Sequence, residues 1–322
     1  MNKIAILTSG GDSPGMNAAV RAVTRAGINF GYEIVGIRSG YRGLIEDNFV
    51  EIKSSDVSGI IQRGGTILKT ARSERFMTPE GRAIAANNLK KKGVDTLIVI
   101  GGDGTFRGAT VIAAEHGIRV VGIPATIDND LIGSDETIGY DTALNTAMEA
   151  IDKIRDTADA HERLFFIEVM GRHTGFIALE TGIASGAEMI ILPEEIQNID
   201  EIKESLTETL KVHERSTLIV VAEGDEEGGA TKICSQLEND FSNYDMRVCI
   251  LGHVQRGGSP TAHDRVLASR LGYEAVKAIH EGKSEVMVGV INNKCKITPL
   301  KETFGKTKQV NLDLLSMARI LR

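Results

Sequence analysis

The chain has 322 residues, 42% of them hydrophobic and 25% charged, a composition typical of a globular protein with room for two or three domains. Its 37 lysines and arginines stand against 44 aspartates and glutamates, and this net charge of −7 argues against nucleic acid or an anionic membrane surface as the main partner. No apolar run approaches the roughly 18 residues of a membrane span. Three cysteines without metal-ligand spacing are typical of reduced thiols in a cytoplasmic protein.

Short β-rich runs alternate with longer amphipathic stretches along the chain. Met16, Val20, Val23 and Phe30 recur at the spacing of one helix face between the first two runs. Most runs are continuously hydrophobic, the pattern of parallel strands covered on both faces. The nine predicted strands are Lys3–Thr8, Glu33–Ile37, Thr96–Ile100, Val120–Ile123, Leu164–Val169, Glu188–Leu192, Thr217–Ala222, Arg247–Leu251 and Val286–Ile291. The alternation predicts an α/β fold with right-handed crossovers.

Two glycine-rich corners follow predicted strands, at Gly10–Gly11 and at 101–104. Ligands of doubly wound sheets bind beyond the C-terminal strand ends, where such corners let backbone N–H groups approach a phosphate. A single Gly-Gly corner is more often a plain turn. Here each glycine pair is followed by an aspartate and a helical stretch, which favours a polyphosphate site with Asp103 as an oxygen ligand for Mg²⁺.

A third corner, PATIDND at 124–130, places Asp128 and Asp130 two residues apart. In an extended segment both carboxylates would point toward one substrate, and one could take the proton of a hydroxyl during phosphoryl transfer. The same residues also suit an Asx-turn or a helix cap at the surface. The residues alone leave these two interpretations open.

Other motifs restrict the alternatives. The sequence contains no G-x-x-x-x-G-K-[ST], no G-x-G-x-x-G after the first strand and no H-E-x-x-H, which disfavours a P-loop site and a dehydrogenase-type dinucleotide fold. One internal similarity joins residues 61–66 (IQRGGT) with residues 254–259 (VQRGGS). It is too brief to establish a duplicated domain.

Five motifs in chain order resemble those of the bacterial 6-phosphofructokinases: TSGGDSPGMNAAVR, IGGDGTF, PATIDND, VMGRHTG and LGHVQRGGSP. The resemblance extends over nearly the whole chain, to about position 300. It implies two Rossmann-like three-layer domains with mainly parallel sheets and an active site in the cleft between them. A larger ATP-binding domain would comprise 1–138 and about 256–303, and a smaller sugar-phosphate-binding domain about 139–255 and 304–322.

The resemblance also implies the reaction: Mg-ATP would transfer its γ-phosphoryl group to the 1-hydroxyl of fructose 6-phosphate, a step of glycolysis. Asp128 matches the general base, Arg172 a cation that stabilises charge on the transferring group, and Thr126 a position near that group. The ATP-binding positions match Gly11, Arg72, Ser73, Gly102, Asp103, Gly104 and Thr105. Position 73, often aromatic in relatives, is serine here.

The sugar-phosphate positions of the family match Thr126, Ile127, Asp128, Met170, Gly171, Arg172, Glu223, His253 and Arg256. Arg163 and Arg247 match residues that a neighbouring subunit contributes. The resemblance therefore implies a homotetramer with shared active sites, in which a monomer would be inactive.

The phosphoryl donor can be argued from size and charge. Pyrophosphate-dependent relatives typically carry aspartate at the position of Gly104 and lysine at that of Ala125. A carboxylate at position 104 would crowd and repel the nucleotide α-phosphate, so the sequence favours ATP, although glycine is usual at position 125 in ATP-using enzymes. A pyrophosphate-dependent enzyme is the first alternative. An NAD or lipid kinase would leave PATIDND and GHVQRGG unexplained, and a catalytically silent sensor is disfavoured by the intact Asp103, Asp128 and Arg172.

Regulation follows the resemblance less closely. Effector positions that bind ADP or phosphoenolpyruvate in regulated relatives match Arg21, Arg25, Arg155, Gly186 and Glu188. Cationic or aromatic side chains of that site are replaced by Ser54, Ser55, Val212 and Glu214. Neighbouring cations that could compensate are Lys211, His213 and Arg215. The sequence predicts a retained but weakened effector site.

Overall fold

The structure, a computed structural model, describes residues 3–160, 163–195, 198–212, 216–224, 229–306 and 308–321. Of the positions discussed above, His213, Glu214 and Arg215 lie outside these ranges. The chain divides into two compact units, the first comprising Met1–Thr142 and Arg256–Lys308, the second Ala143–Gln255 and Gln309–Arg322.

Eleven strands and ten α-helices alternate through the described residues. The strands are β1 (Lys3–Thr8), β2 (Glu33–Ile37), β3 (Phe49–Glu51), β4 (Val94–Gly101), β5 (Arg119–Pro124), β6 (Leu164–Val169), β7 (Met189–Ile191), β8 (Thr217–Ala222), β9 (Met246–Ile250), β10 (Val286–Ile291) and β11 (Lys294–Pro299). The helices are α1 (Met16–Asn29), α2 (Gly40–Ile45), α3 (Pro79–Lys91), α4 (Asp103–His116), α5 (Tyr140–Asp159), α6 (Phe176–Ala184), α7 (Ile199–Val212), α8 (Gly229–Leu237), α9 (Ala262–His280) and α10 (Leu312–Leu321). None of these helices is long and apolar enough to cross a membrane.

The first unit contains a seven-stranded sheet in the order β11-β10-β5-β4-β1-β2-β3. Its five inner strands are parallel, and β3 and β11 pair antiparallel at the two edges. The second unit contains an entirely parallel four-stranded sheet in the order β7-β8-β6-β9. Both units are therefore α/β, as the alternating pattern predicts.

Strand β1 shows why the inner strands are continuously hydrophobic. Successive side chains point to opposite faces of a sheet. Ile4 and Ile6 accordingly join the core that includes α1 and α9, while Ala5 and Leu7 join the core that includes Phe106 of α4. All of them are fully buried, and burying one such leucine or isoleucine side chain contributes about 1.5–3 kcal/mol.

The nine predicted strands are confirmed, with ends that differ from the prediction by at most two residues. Two further strands, β3 and β11, were not predicted; they are the edge strands of the larger sheet. β3 has only three residues, and β11 alternates Lys294, Cys295, Lys296 and Ile297. Edge strands face solvent along one side, so they lack the hydrophobic run by which the inner strands are recognised.

Candidate functional site

The corners after β1 and β4 open at the same edge of the larger sheet, because these strands are parallel neighbours. The backbone N–H of Ser9 donates to the carbonyl of Ile100 over 3.0 Å. A Cβ atom on Gly101 would lie 2.4 Å from the Ser9 carbonyl oxygen, so the close approach of these two corners requires glycine at position 101. The predicted ATP-binding positions Gly11 and 102–105 are thereby brought to one edge.

The N-terminus of α4 is shaped for an anion. The helix begins at Asp103, and its N-cap, Gly102, has no side chain with which to bind the first backbone N–H groups. Among the described residues, no atom lies within 4 Å of a Cβ built on Gly104, and the buried Thr105 hydroxyl has no hydrogen-bond partner. Helix N-termini attract negative charge, and this one has both open space and a spare hydroxyl, a combination that suits phosphate.

The side chain of Asp103 lies at this helix start and is 29% exposed. Its Oδ1 atom accepts a hydrogen bond from Arg107 Nε over 2.7 Å, one helical turn further on. Arg107 is mostly exposed, so another cation could replace it beside the carboxylate.

The PATIDND corner follows β5 and lies against the corner of β4. The backbone N–H of Ala125 donates to the Gly101 carbonyl over 3.0 Å, and a Cβ atom on Gly102 would be 3.6 Å from the Cβ of Thr126. Asp128, a residue only 6% exposed, follows two positions after Thr126. The candidate base and the candidate phosphate site therefore share one edge of the first unit.

The backbone of this corner corrects one sequence interpretation. The expectation of an extended segment is wrong, because Asn129 has φ of +51° and residues 127–128 form a turn. The Asp128 N–H donates to the Thr126 hydroxyl over 3.2 Å, so the turn is closed by a threonine and is buried, whereas the alternative interpretation was an Asx-turn or a helix cap at the surface. Asp128 and Asp130 are consequently not aligned by strand periodicity. Ile127 is fully buried.

Arg256 connects the corners of the first unit. Its Nη2 atom is 4.0 Å from Asp128 Oδ1, and its Nη1 atom donates to the Asp12 carbonyl over 3.3 Å. A Cβ atom on Gly11 would lie 2.6 Å from Nη1. The guanidinium thus lies between the first glycine corner and the candidate base.

Arg72 and Ser73 lie just before the 3₁₀ helix Glu74–Met77. Arg72 is exposed, and the Ser73 hydroxyl caps this helix by accepting from the Phe76 N–H over 3.3 Å.

Tyr41, which was not predicted as a site residue, stacks on Phe76 with 4.0 Å between ring centres and donates to the Thr105 carbonyl over 2.5 Å. Burial raises the pKa of the Tyr41 phenol, which therefore remains a donor. Tyr41 links this loop to α4.

The MGR corner of the second unit follows β6. Glu223, directly after the neighbouring strand β8, accepts from the N–H of Arg172 over 2.8 Å through Oε1. Arg172 has φ of +59°, and a Cβ atom on Gly224 would lie 1.9 Å from the Arg172 carbonyl oxygen. Four predicted sugar-phosphate positions are brought together here: Met170, Gly171, Arg172 and Glu223.

Gln255 is a site residue that the sequence analysis missed. It is completely buried, and its Oε1 atom accepts from the Met170 N–H over 2.9 Å. Gln255 lies in the 3₁₀ helix Gly252–Arg256, which also carries the exposed His253. Gln255 could have been predicted as a site residue, because it lies between His253 and Arg256 in the same motif.

Arg163 and Arg247 are brought together by Asp245, another residue that the sequence analysis missed. Arg163 Nε donates to Asp245 Oδ2 over 2.7 Å, and Arg247 Nε lies 2.9 Å from Oδ1. The hydrogen bond from Arg163, with that from Arg247, lowers the pKa of Asp245. Strands β6 and β9 pair side by side, so the two guanidinium groups share one carboxylate.

The predicted effector residues occur in both units. In the second unit Arg155 pairs with Glu188 over 3.1 Å and donates to the carbonyls of Ser185 and Gly186. In the first unit Arg21 and Arg25 lie on α1, where Arg25 donates to the Ser58 hydroxyl.

Comparison with known proteins identifies the family. A family model described as phosphofructokinase matches residues 3–279. ATP-dependent 6-phosphofructokinase 2 of Bacteroides thetaiotaomicron is 52% identical over 99% of this chain and 98% of its own length, and ATP-dependent 6-phosphofructokinase 1 of Thermus thermophilus is 54% identical over 100% and 99%.

Solved structures agree with these relatives. Phosphofructokinase from Saccharomyces cerevisiae superposes with a TM-score of 0.86 at 41% identity, covering 94% of this chain and 45% of the yeast chain. A pyrophosphate-dependent phosphofructokinase from Marinobacter aquaeolei shares the fold at 20% identity, with a TM-score of 0.84 over 97% of this chain and 86% of its own. Motifs, folds and relatives lead to one conclusion: this chain belongs to the phosphofructokinase family.

Proposed function

We propose that this chain transfers the γ-phosphoryl group of ATP to the 1-hydroxyl of fructose 6-phosphate, giving fructose 1,6-bisphosphate and ADP. One observation carries the proposal: the turn that holds Asp128 lies against the glycine corner and helix start of α4. A proton acceptor and a phosphate site are thus neighbours on one sheet edge. The names of the relatives at 52% and 54% identity support the same reaction.

The transfer begins at the 1-hydroxyl of the sugar. The carboxylate of Asp128 takes the proton of this hydroxyl as the hydroxyl oxygen forms its bond to the γ-phosphorus. The bond from that phosphorus to the bridging oxygen of ATP breaks, and ADP leaves with this electron pair. Arg172, whose guanidinium is a planar donor, is assigned by its motif to stabilise the charge that develops on the transferring group.

ATP rather than pyrophosphate is the donor that the α4 corner favours. The space beside Gly104 leaves room for the α-phosphate of a nucleotide, and an aspartate there would fill it with negative charge. Gly11, Arg72, Ser73, Gly102 and Thr105 complete the proposed ATP site.

An ATP-dependent kinase requires a divalent metal ion, and we assign Mg²⁺ to Asp103. The residues fit this ion, since Asp103 offers a hard carboxylate oxygen at a helix start shaped for phosphates, and its partner Arg107 is exposed. When bound, Mg²⁺ neutralises phosphate charge during the transfer.

The 6-phosphate of the sugar is assigned to His253 and Arg256, together with Arg163 and Arg247 of a neighbouring subunit. Met170, Gly171, Glu223, Thr126 and Ile127 complete the sugar site. The protein would then be a cytoplasmic homotetramer with shared active sites. ADP or phosphoenolpyruvate would bind weakly at Arg21, Arg25, Arg155, Gly186 and Glu188.

An assay of product formation with ATP and with pyrophosphate, each at several sugar phosphates, tests the reaction. We expect fructose 6-phosphate with ATP to be the preferred pair. Turnover with pyrophosphate alone would overturn the choice of donor.

The base is tested by Asp128→Asn, which keeps the shape of the side chain. We expect kcat to fall by about 10²–10⁴-fold while fructose 6-phosphate binding changes little, because a general base acts in the transition state. Asp152→Asn, an exposed change on α5, is the control and should leave kcat unchanged. An Asp128→Asn enzyme within tenfold of the parent would refute the assignment.

A further inference from the structure

The residue between the two carboxylates of the candidate catalytic turn has an unusual backbone. Asn129 has φ of +51° and is only 3% exposed. The left-handed region is disfavoured for residues with a Cβ atom, and asparagine tolerates it best because its side chain can bond locally. The backbone at Asn129 sets the directions in which Asp128 and Asp130 leave the turn. The contacts that fix the Asn129 backbone therefore also orient Asp128, the candidate base.

The Asn129 side chain is held at both of its polar atoms. Nδ2 donates to the Asp135 carbonyl over 3.1 Å, and Oδ1 accepts from Lys308 Nζ over 3.1 Å. Lys308 Nζ also donates to the Asp135 carbonyl over 2.7 Å. The three residues form a closed hydrogen-bonded triangle, which we call the Asn129 clamp.

The clamp rests on a rigid support. The Asp135 N–H donates to the Val290 carbonyl over 2.7 Å, and its carboxylate accepts from the Asn292 N–H over 2.7 Å. Val290 belongs to β10, an inner strand of the larger sheet. The position of Asn129 is therefore tied to the sheet through Asp135.

Lys308 contributes charged hydrogen-bond donors, which an apolar side chain packed at the same place would lack. The two bonds described for its ammonium go to neutral oxygens of the turn, an amide and a carbonyl. Fixing a flexible lysine in this way costs more side-chain entropy than burying a leucine or isoleucine at the same place would. A charged donor gives stronger hydrogen bonds than a neutral one, so Lys308 strengthens the restraint on Asn129.

We propose that Lys308, acting through Asn129, is a positioning residue that fixes the orientation of Asp128 for proton transfer. Lys308 lies after the 3₁₀ helix Leu300–Glu302 and beyond residues 3–279 that the family model matches. The inference rests on the proposed function, because it gives Lys308 a role only if Asp128 acts as the base.

The test compares Lys308→Met, which keeps the length of the side chain and removes the donor, with Lys308→Arg, which keeps a charged donor. Lys308→Met should lower kcat by about 10–100-fold, since a small misplacement of a reacting group has an effect of this size. The KM values for ATP and fructose 6-phosphate should each change by less than about threefold, because the proposal assigns the clamp to orienting the base and not to binding either substrate. Lys308→Arg should recover part of kcat.

The matched control is Lys306→Met, an exposed lysine two residues earlier, which should leave kcat unchanged. A double-mutant cycle of Lys308 and Asn129 measures whether the kcat effects of the two substitutions are coupled. Two residues that merely support the fold independently would not show this coupling. Asn129→Gly retains the left-handed backbone but removes the clamp, so it should lower kcat as Lys308→Met does, and the two changes together should cost no more than either alone.

Two outcomes would overturn the proposal: a Lys308→Met enzyme within twofold of the parent kcat, or kcat losses that multiply in the double variant. Should Lys308→Met fail to fold, Asn129→Gly with and without Lys308→Arg decides, because full turnover in Asn129→Gly also refutes the clamp. The Asp128→Asn enzyme separates the two proposals. Its retained turnover would refute the base, whereas its collapse beside a fully active Lys308→Met would refute the clamp alone.

Discussion

Arg256 illustrates how one side chain can serve several corners. Its guanidinium reaches the Asp12 carbonyl and lies 4.0 Å from the carboxylate of Asp128, directly over Gly11. The motif match assigned Arg256 only to the sugar 6-phosphate. In the structure it also occupies the space that a side chain at position 11 would need. A side chain at position 11 would therefore compete with the Arg256 guanidinium for this space, in addition to any ligand.

This contact gives a prediction for Gly11→Ala. A new Cβ atom would lie 2.6 Å from Arg256 Nη1 and would displace the guanidinium, a mobile group that can move without disturbing the core. We expect kcat/KM to fall by about 10–100-fold, with little change in the thermal midpoint of unfolding. In an Arg256→Gln background the same change should have little further effect. A full additional loss there would show that the new methyl group obstructs ATP instead.

At the scale of elements, the N-termini of α5 and α9 cap each other. Asp264, in the first turn of α9 and fully buried, accepts from the N–H groups of Gly139 and Thr142 at 2.7 and 2.8 Å. Thr261 caps α9 and also donates to Asp141 of α5 over 2.5 Å. The Thr142 hydroxyl accepts from the Thr261 N–H over 3.0 Å. Each helix thus satisfies backbone donors that the other helix start would leave unpaired.

Asp264→Ala should lower the free energy of unfolding by about 2–4 kcal/mol, because buried donors of α5 would lose their acceptor. Chemical denaturation monitored by circular dichroism measures this change. The control is Glu274→Ala on the same helix, which removes a partly exposed ion pair with Lys277 and should change stability by less than about 1 kcal/mol. Equal effects of both substitutions would contradict the capping explanation.

The pH dependence of this contribution has a definite sign. Burial raises the pKa of Asp264 above its ordinary value of 3.8, although the hydrogen bonds from Thr142 and Gly139 oppose the shift. The folded chain therefore binds this proton more tightly than the unfolded chain does. The free energy of unfolding of the parent, minus that of Asp264→Asn, should be greatest below about pH 4. It should decline as pH rises through the pKa of Asp264 in the folded chain.

The repeated QRGG motif also finds its explanation between elements. A Cβ atom on Gly64 would lie 2.2 Å from the carbonyl oxygen of Gly258, and the Ser259 hydroxyl donates to the Gln62 carbonyl over 2.6 Å. The buried side chain of Asn17 donates to the carbonyl of Arg63 over 3.0 Å. The two similar segments pack against each other, and α1 holds the first of them. The close approach requires glycine at position 64.

For the whole molecule, the assignment of Arg163 to a neighbouring subunit's active site can be tested by complementation. Arg163→Ala and Asp128→Asn enzymes should each be nearly inactive. If their subunits are dissociated, mixed in equal amounts and reassociated, about a quarter of the sites would combine an intact Asp128 with an intact neighbouring Arg163. Activity should recover accordingly. Mixed oligomers, identified by native mass spectrometry, that stay inactive would contradict shared sites.

Much of the architecture is local in origin and was predictable from the chain. The hydrophobic runs of the inner strands are visible because each strand is covered on both faces, and β1 is predicted to the residue. The glycine corners at Gly11 and 101–104 were found because parallel strands place their C-terminal ends together. The edge strand β3 was not found because it has only three residues, and β11 was not found because lysines alternate with its apolar residues.

The α/β class, the family and the corners that hold the candidate chemistry could be predicted from the chain alone, because these depend on hydrophobic patterning and on short motifs. The folded chain was needed to show that the turn at Asp128 is not extended, that Arg256 lies beside it and that Asp245 joins Arg163 to Arg247. It also brought Lys308, 179 residues away in sequence, to Asn129. Such contacts join distant segments through side-chain geometry, and periodicity along a chain carries no information about them.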